Sequence, residues 1–137
     1  MFELDARLHN DTYFVCDLSL SRVLLMNDSQ FPWLILVPRK HDVAEIIDLS
    51  EEDQITLLKE SALVSKAMQI LFSPLKLNVA ALGNIVRQLH VHHVARFDTD
   101  VAWPKPVWGN QAPKPYQDEQ AHVLITQLQG LLTQGQQ

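Results

Sequence analysis

Between residues 12 and 39 short apolar runs alternate with polar punctuation. In "TYFVCDL", Tyr13, Val15 and Asp17 alternate with Phe14, Cys16 and Leu18, and "SRVLLMN" follows after a brief turn near Leu20 and Ser21. Both read as short strands. "DSQFP" is a loop, since Asp, Ser and Pro punctuate it. "WLILVPR", Trp33 to Arg39, is a near-continuous apolar run bounded by prolines and too short for a helix, so a central strand is expected.

The pattern then changes period. "HDVAEIIDL" suggests one helical turn. From Ser50 to Phe72, Ile55, Leu58, Ala62, Met68 and Phe72 form a helical apolar stripe. Ser50 is a suitable N-cap, Glu51, Glu52 and Asp53 complement the helix dipole, and Pro74 closes the element. "KLNVAALG" predicts a strand over Leu75 to Leu82. Gly83 and Asn84 make a turn, and "VRQLHVHHVARF" predicts an antiparallel partner strand. "WPKPVWGNQAPKPY" holds four prolines and reads as an extended tail. Ala121, Ile125, Leu128 and Leu132 share one face of a terminal helix, and the last residues, "TQGQQ", are expected to fray. There is no internal repeat. Strands first, then helix and strands, indicate α+β: an antiparallel sheet with helices on one side.

Composition narrows the function. At 137 residues the chain has the size of one domain and can bury a core without staples. A net charge of −5 argues against gripping long nucleic acid, though a local pocket can still hold a small phosphorylated ligand. Cys16 is the lone cysteine, so no internal disulfide is expected. The N-terminus lacks the pattern of a signal peptide, and no apolar run approaches the roughly 20 residues of a membrane helix. A cytoplasmic location is the expectation.

"RQLHVHHVAR" holds three of the six histidines within four positions. On a strand, alternation divides them. Gln88, His90, His92 and Val94 share one face; Leu89, Val91, His93 and Ala95 share the other. Three readings follow. The pair His90 and His92 is a polar face exposed to solvent or hydrogen-bonded locally, or it supplies two ligands to a metal that needs more from afar, or a neutral imidazole attacks phosphorus and a second histidine assists. Arg96 falls on the same face and could reach a phosphate, or be a solvated strand end. Trp103 and Trp108 either cover a base or partner, or pack the tail on the domain. His93 reads as a core or interface histidine, and Asp17 and Asp28 as turn residues.

"GNIVRQLHVHHVAR" resembles the signature of the histidine triad (HIT) family of nucleotide hydrolases and transferases, His-φ-His-φ-His-φ-φ with φ apolar, on a strand after a Gly-rich turn. Gln88 stands in the first histidine slot, His90 in the second and His92 in the third. "LLMNDSQFPWLILVPRKH" is similar to the family's early strand-loop-strand, and the likeness spans residues 12 to 98. The overall look is of bacterial dinucleoside polyphosphate hydrolases. The resemblance implies a HIT-like sheet of about five strands with a main helix packed on it and a C-terminal helix. Residues 1–103 would form the nucleotide-binding domain, and 104–137 a Pro-rich tail and helix packed on it. It implies His90 as nucleophile on an α-phosphate, with His92 holding the phosphate or tuning His90. The backbone carbonyl of Gln88 would orient His90. Gly83 and Asn84 would contact phosphate, and Asn27 would hydrogen-bond the ribose. A purine nucleotide or dinucleotide substrate and a homodimer are implied. No cofactor or resident metal is, and a need for a divalent cation stays open. Trp33 stands where many relatives carry a fourth histidine and Ile85 where many carry Ser or Thr. His93 takes an apolar slot, and the loop around Gly83 reads short.

Overall fold

In a computed structural model, which describes residues 1–135, five strands form one antiparallel sheet: β1 (Thr12–Asp17), β2 (Ser21–Met26), β3 (Trp33–Pro38), β4 (Lys76–Ala80) and β5 (Val91–Arg96). Their order across the sheet is β1-β2-β3-β5-β4. β3 and β5 are therefore interior strands, and every residue of both is buried. That burial explains the near-continuous apolar run of "WLILVP".

Alternation along each strand feeds two cores. On one face Val15, Val23, Leu25, Leu34, Leu36, Val91 and Ala95 meet helices α2 (Glu51–Phe72) and α3 (Asp118–Gly135). Ala121, Ile125, Leu128 and Leu132 of α3 are all buried there, and a fully buried Leu is worth about 1.5–3 kcal/mol in transfer free energy. On the other face Leu24, Trp33, Ile35, Val37 and Val94 meet Leu8, Phe31, Ala102 and Val107. The α+β reading with an antiparallel sheet holds, but helices are not confined to one side. A short helix α1 (Ala6–Asp11), absent from the sequence expectation, carries Leu8 into the second core and is capped by the Asp5 carboxylate, which accepts from the Arg7 N–H.

Ser50 caps α2 by accepting from the Asp53 N–H, as expected. Of the expected stripe Met68 is buried and Phe72 packs against the core, but the rest of the buried stripe is Leu57, Glu60, Val64 and Ala67. Ile55 and Leu58 lie on the adjacent exposed stripe, at 50% and 72% exposure. Both sets satisfy helical spacing; α2 presents Leu57 and Val64 to the core and Glu60 to a loop. Its carboxylate accepts from the Leu20 and Ser21 N–H groups and the Ser19 hydroxyl, satisfying donors at the β1–β2 turn that would otherwise be buried and unpaired.

Two further expectations are corrected. Residues 81–90 are not a tight turn inside a hairpin but a longer irregular connection, with strand pairing only from Val91 onward. The physical reason is that residues 88 and 89 bond elsewhere. The Leu89 N–H donates to the Val43 carbonyl, and the Gln88 amide spans Glu3 and Asp5 near the N-terminus. Over 101–109 the tail runs through turns rather than extended, with Ala102 and Val107 buried. α3 is helical through Gly135, past the start of the expected fraying; Gln136 and Gln137 lie outside the described residues.

Candidate functional site

His92 sits in β5 opposite Ile35 of β3 and Ala80 of β4. It faces away from α2 and α3, with Val94 and Arg96. His93 takes the other face. Its Nδ1–H donates to the Val91 carbonyl, so its Nε2 accepts from the Ser61 hydroxyl. Burial holds the His93 imidazole down to about 4, against the raising effect of the Val91 and Leu34 carbonyls. Its neutral form is thus set by the core, and strand alternation separates it from the cluster.

His90 lies one residue before β5, yet continues the alternation. Its ring centroid is 4.9 Å from that of His92, edge to face. Nδ1 of His90 is 2.7 Å from the Gln88 carbonyl oxygen. A carbonyl only accepts, so Nδ1 carries the proton, and in the neutral ring Nε2 is left with a lone pair. The Gln88 side chain does not enter this arrangement, since its amide is turned to Glu3 and Asp5.

His92 has the opposite tautomer. The Trp33 indole Nε1–H, which can only donate, lies 3.0 Å from His92 Nδ1. Trp33 pairs with Val94 in the ladder and is thus the diagonal neighbour of His92 on the same face. Burial, then the neighbouring His90 and His93 charges, push His92 down to about 3, so its ring is neutral at physiological pH. Trp108 closes the cluster, its ring 5.3 Å from His92 and 6.0 Å from Trp33. Its indole Nε1–H is buried without a hydrogen-bond partner.

Two cavities meet here. One, about 340 Å³, is lined by Gly83, Asn84, His90, His92 and Trp108 among others. The other, about 570 Å³, is walled by Asn27, Met26, Trp33, Val107, Pro113 and Pro115, with Asn10, Asp11 and Asp28 as its polar edge. Ile85 and Gly109 line both. Gly83 adopts φ +76, a left-handed conformation that a side chain would strain. The larger cavity is predominantly apolar with few polar groups, the usual character of a small-molecule site. Asn27 accepts from the Tyr116 N–H through Oδ1, so it fixes the tail as a cavity wall.

Arg96 is placed elsewhere. It is 1% exposed. Its guanidinium is committed to Asp100, Asn78 and the Lys105 carbonyl, with the Trp103 ring stacked against it. The phosphate-binding expectation for Arg96 is replaced by a structural one, because none of its charge faces a cavity. Burial alone would raise the Asp100 carboxyl. Arg96 and the Phe97 and Trp103 N–H groups outweigh it and hold that carboxyl below the usual range. Among the described residues no group of three or more His, Cys, Asp or Glu is placed to hold a metal ion.

Comparison with known proteins decides the family. The HIT domain family model matches residues 7–99. This chain belongs to the histidine triad family. A histidine triad protein from Marinobacter aquaeolei VT8 is 51% identical, with 98% of each chain covered and a TM-score of 0.95. A histidine triad protein from Bradyrhizobium japonicum is 45% identical over 96% of this chain and 98% of its own, at TM-score 0.94. One from Sinorhizobium meliloti 1021 is 41% identical over 94% and 96%, at 0.92. No curated protein sequence matches. The five-stranded HIT fold with its main and C-terminal helices is thereby established. In this HIT protein the sequence pointed to the central pair and to Asn27, Gly83 and Asn84. It did not point to the Trp33–His92 hydrogen bond, and of the tail it offered only Trp103 and Trp108 as a cover for a base; Trp108 lines the cavity of His90 and His92. Aromatics at 33 and 108 were the available signal.

Proposed function

We propose that this HIT protein is a nucleotide hydrolase or nucleotidyl transferase acting at the α-phosphate of a dinucleoside polyphosphate or nucleotidyl amidate. The observation that carries the reading is the His90 tautomer: Nδ1–H is tied to the Gln88 carbonyl, leaving the Nε2 lone pair as nucleophile. Nε2 attacks phosphorus in line, and the bond to the leaving group breaks with its electron pair, which a polyphosphate oxygen keeps as an anion and an amidate nitrogen shares with a proton taken from solvent. Water then attacks the phosphorus, the P–N bond breaks with its electron pair returning to His90 Nε2, and a nucleoside monophosphate leaves while the water proton passes to solvent. Asn84, His92 and the backbone near Gly83 line the place where the phosphate charge would sit. The larger cavity suits a purine nucleoside, with Asn27 at the ribose. No cofactor is required; a divalent cation would enter only with the substrate's phosphates.

A homodimer fits the outer edge of the sheet at β4, where Val79 and, one residue before the strand, Leu75 are 50% and 63% exposed. No helix among the described residues is long and apolar enough to cross a membrane, and we place the protein in the cytoplasm.

Incubation with dinucleoside polyphosphates and nucleotidyl amidates, read by mass spectrometry, is expected to trap a nucleotidyl adduct on His90. His90→Ala should abolish turnover and retain nucleotide binding. Wild-type turnover by that variant refutes the assignment. One observation favours a second reading, a nucleotide-binding protein with little catalysis: no Lys or Arg lines the cavity at His90 and His92. Tight binding with no adduct and no turnover selects it.

A further inference from the structure

The two cavity histidines hold opposite tautomers, and different partners set them. His90 donates from Nδ1 to a backbone carbonyl. His92 accepts at Nδ1 from an indole. An indole N–H has no lone pair to offer, so an Nδ1–H tautomer of His92 would place two donors head to head across 3.0 Å. The proton of neutral His92 therefore resides on Nε2. That atom has no hydrogen-bond partner among the described residues and is not among their buried orphan atoms. Its ring lines the same cavity as His90. The cavity thus juxtaposes one imidazole lone pair, on His90, with one imidazole N–H, on His92. Since Arg96 is committed to Asp100, Asn78 and a carbonyl, this N–H is among the few donors left for an anion.

We propose that Trp33 is a positioning residue that locks His92 in its Nε2–H tautomer, so that His92 serves as a neutral hydrogen-bond donor to the phosphate held beside His90. This rests on the nucleotide reading above and assigns a role to Trp33 within it. His92 is not a proton donor in the chemical sense. Losing its proton would leave an imidazolate; it gives a hydrogen bond to a non-bridging phosphate oxygen and keeps the proton. Trp33 also walls the larger cavity, so one side chain couples the nucleoside pocket to the phosphate donor. Phe31 and Trp108 hold its ring from the sides, at centroid distances of 6.4 and 6.0 Å.

The test replaces Trp33 by its benzothienyl isostere, which keeps the ring shape that walls the larger cavity and removes only the N–H. In ¹⁵N-histidine-labelled protein without ligand, His92 should be the Nε2–H tautomer and should shift toward Nδ1–H in the isostere. AMP and adenosine are then titrated in a His90→Ala background, where no turnover intervenes. The isostere should weaken AMP binding about tenfold, the worth of one hydrogen bond to a charged group, and leave adenosine unchanged. With His92→Asn added, it should change AMP affinity less than twofold. Wild-type His92 protonated on Nδ1 overturns the proposal. So does an equal loss for AMP and adenosine, an equal loss with and without His92, or an AMP affinity no better than that of adenosine in the starting protein. Neither arm requires catalysis, so an inactive enzyme would defeat the hydrolase reading and leave this one standing.

Discussion

Acidification from pH 7 to pH 5 should destabilise the protein through two buried rings. His92 is 5% exposed and His93 fully buried, and their imidazoles are held down to about 3 and about 4. In the unfolded chain both revert to roughly 6.5. Only the unfolded state therefore takes up their protons over this window. Stability is fully present above about pH 6.5, falls with pH, and levels only below the folded values. At pH 5 each ring costs about 2 kcal/mol, some 1.5 pH units at about 1.36 kcal/mol per unit, or about 4 kcal/mol together. That is a large share of a typical stability of about 5–15 kcal/mol. Asp17, Asp48 and Asp100 are held below the usual carboxylate range, so their contributions are lost only near and below about pH 4. The assay is urea unfolding at half-unit steps between pH 7 and 5. The limiting slope should approach about 2.7 kcal/mol per pH unit, the value for two protons. His93→Gln can still accept from Ser61 and donate to the Val91 carbonyl, and should remove about half of that slope. A flat profile over the window, or equal slopes for wild type and His93→Gln, refutes the reasoning.

The remaining predictions are local. Gln88→Ala keeps the backbone carbonyl that orients His90 and loses only the bonds to Glu3 and Asp5. Turnover should stay within about tenfold of wild type, since no interaction at phosphorus is removed; a loss as deep as that of His90→Ala would show that the side chain itself acts. Asp100→Ala strands the Arg96 guanidinium in the core and should cost about 3–5 kcal/mol in chemical denaturation, the usual penalty of breaking a buried pair. A loss under about 1 kcal/mol would mean that water reaches Arg96.

How legible the site was depends on the range of the forces involved. The alternation in "HVHHVAR" separated His93 from His90 and His92, because the pleat is a property of the local backbone. Ser50 and the acidic first turn marked the start of α2 for the same reason. The buried face of α2 was legible only at its C-terminal end, where Met68 and Phe72 meet the core. Ile55 with Leu58 and Leu57 with Val64 both obey helical spacing, and the choice between them lies in the tertiary contacts, the packing of Leu57 and Val64 in the core and the Glu60 carboxylate at Leu20 and Ser21. Arg96 misled for a similar reason. Its position on the histidine face was readable, but its engagement by Asp100 and Asn78 depends on where a turn and a neighbouring strand lie.

By itself the sequence determined the longer strands and helices, the α+β class, the family signature and which histidines share a face. All of these follow from local backbone geometry and short-range pattern. Only the tertiary structure decided what each imidazole can do. A tautomer is set by whichever partner the fold brings to the ring: for His90 a carbonyl two residues away, for His92 an indole from β3, 59 positions distant in the chain. The cavity wall from Val107 to Pro115 was decided in the same way, by Asn27 and Asp28 accepting from the Tyr116 and Lys114 N–H groups across most of the chain.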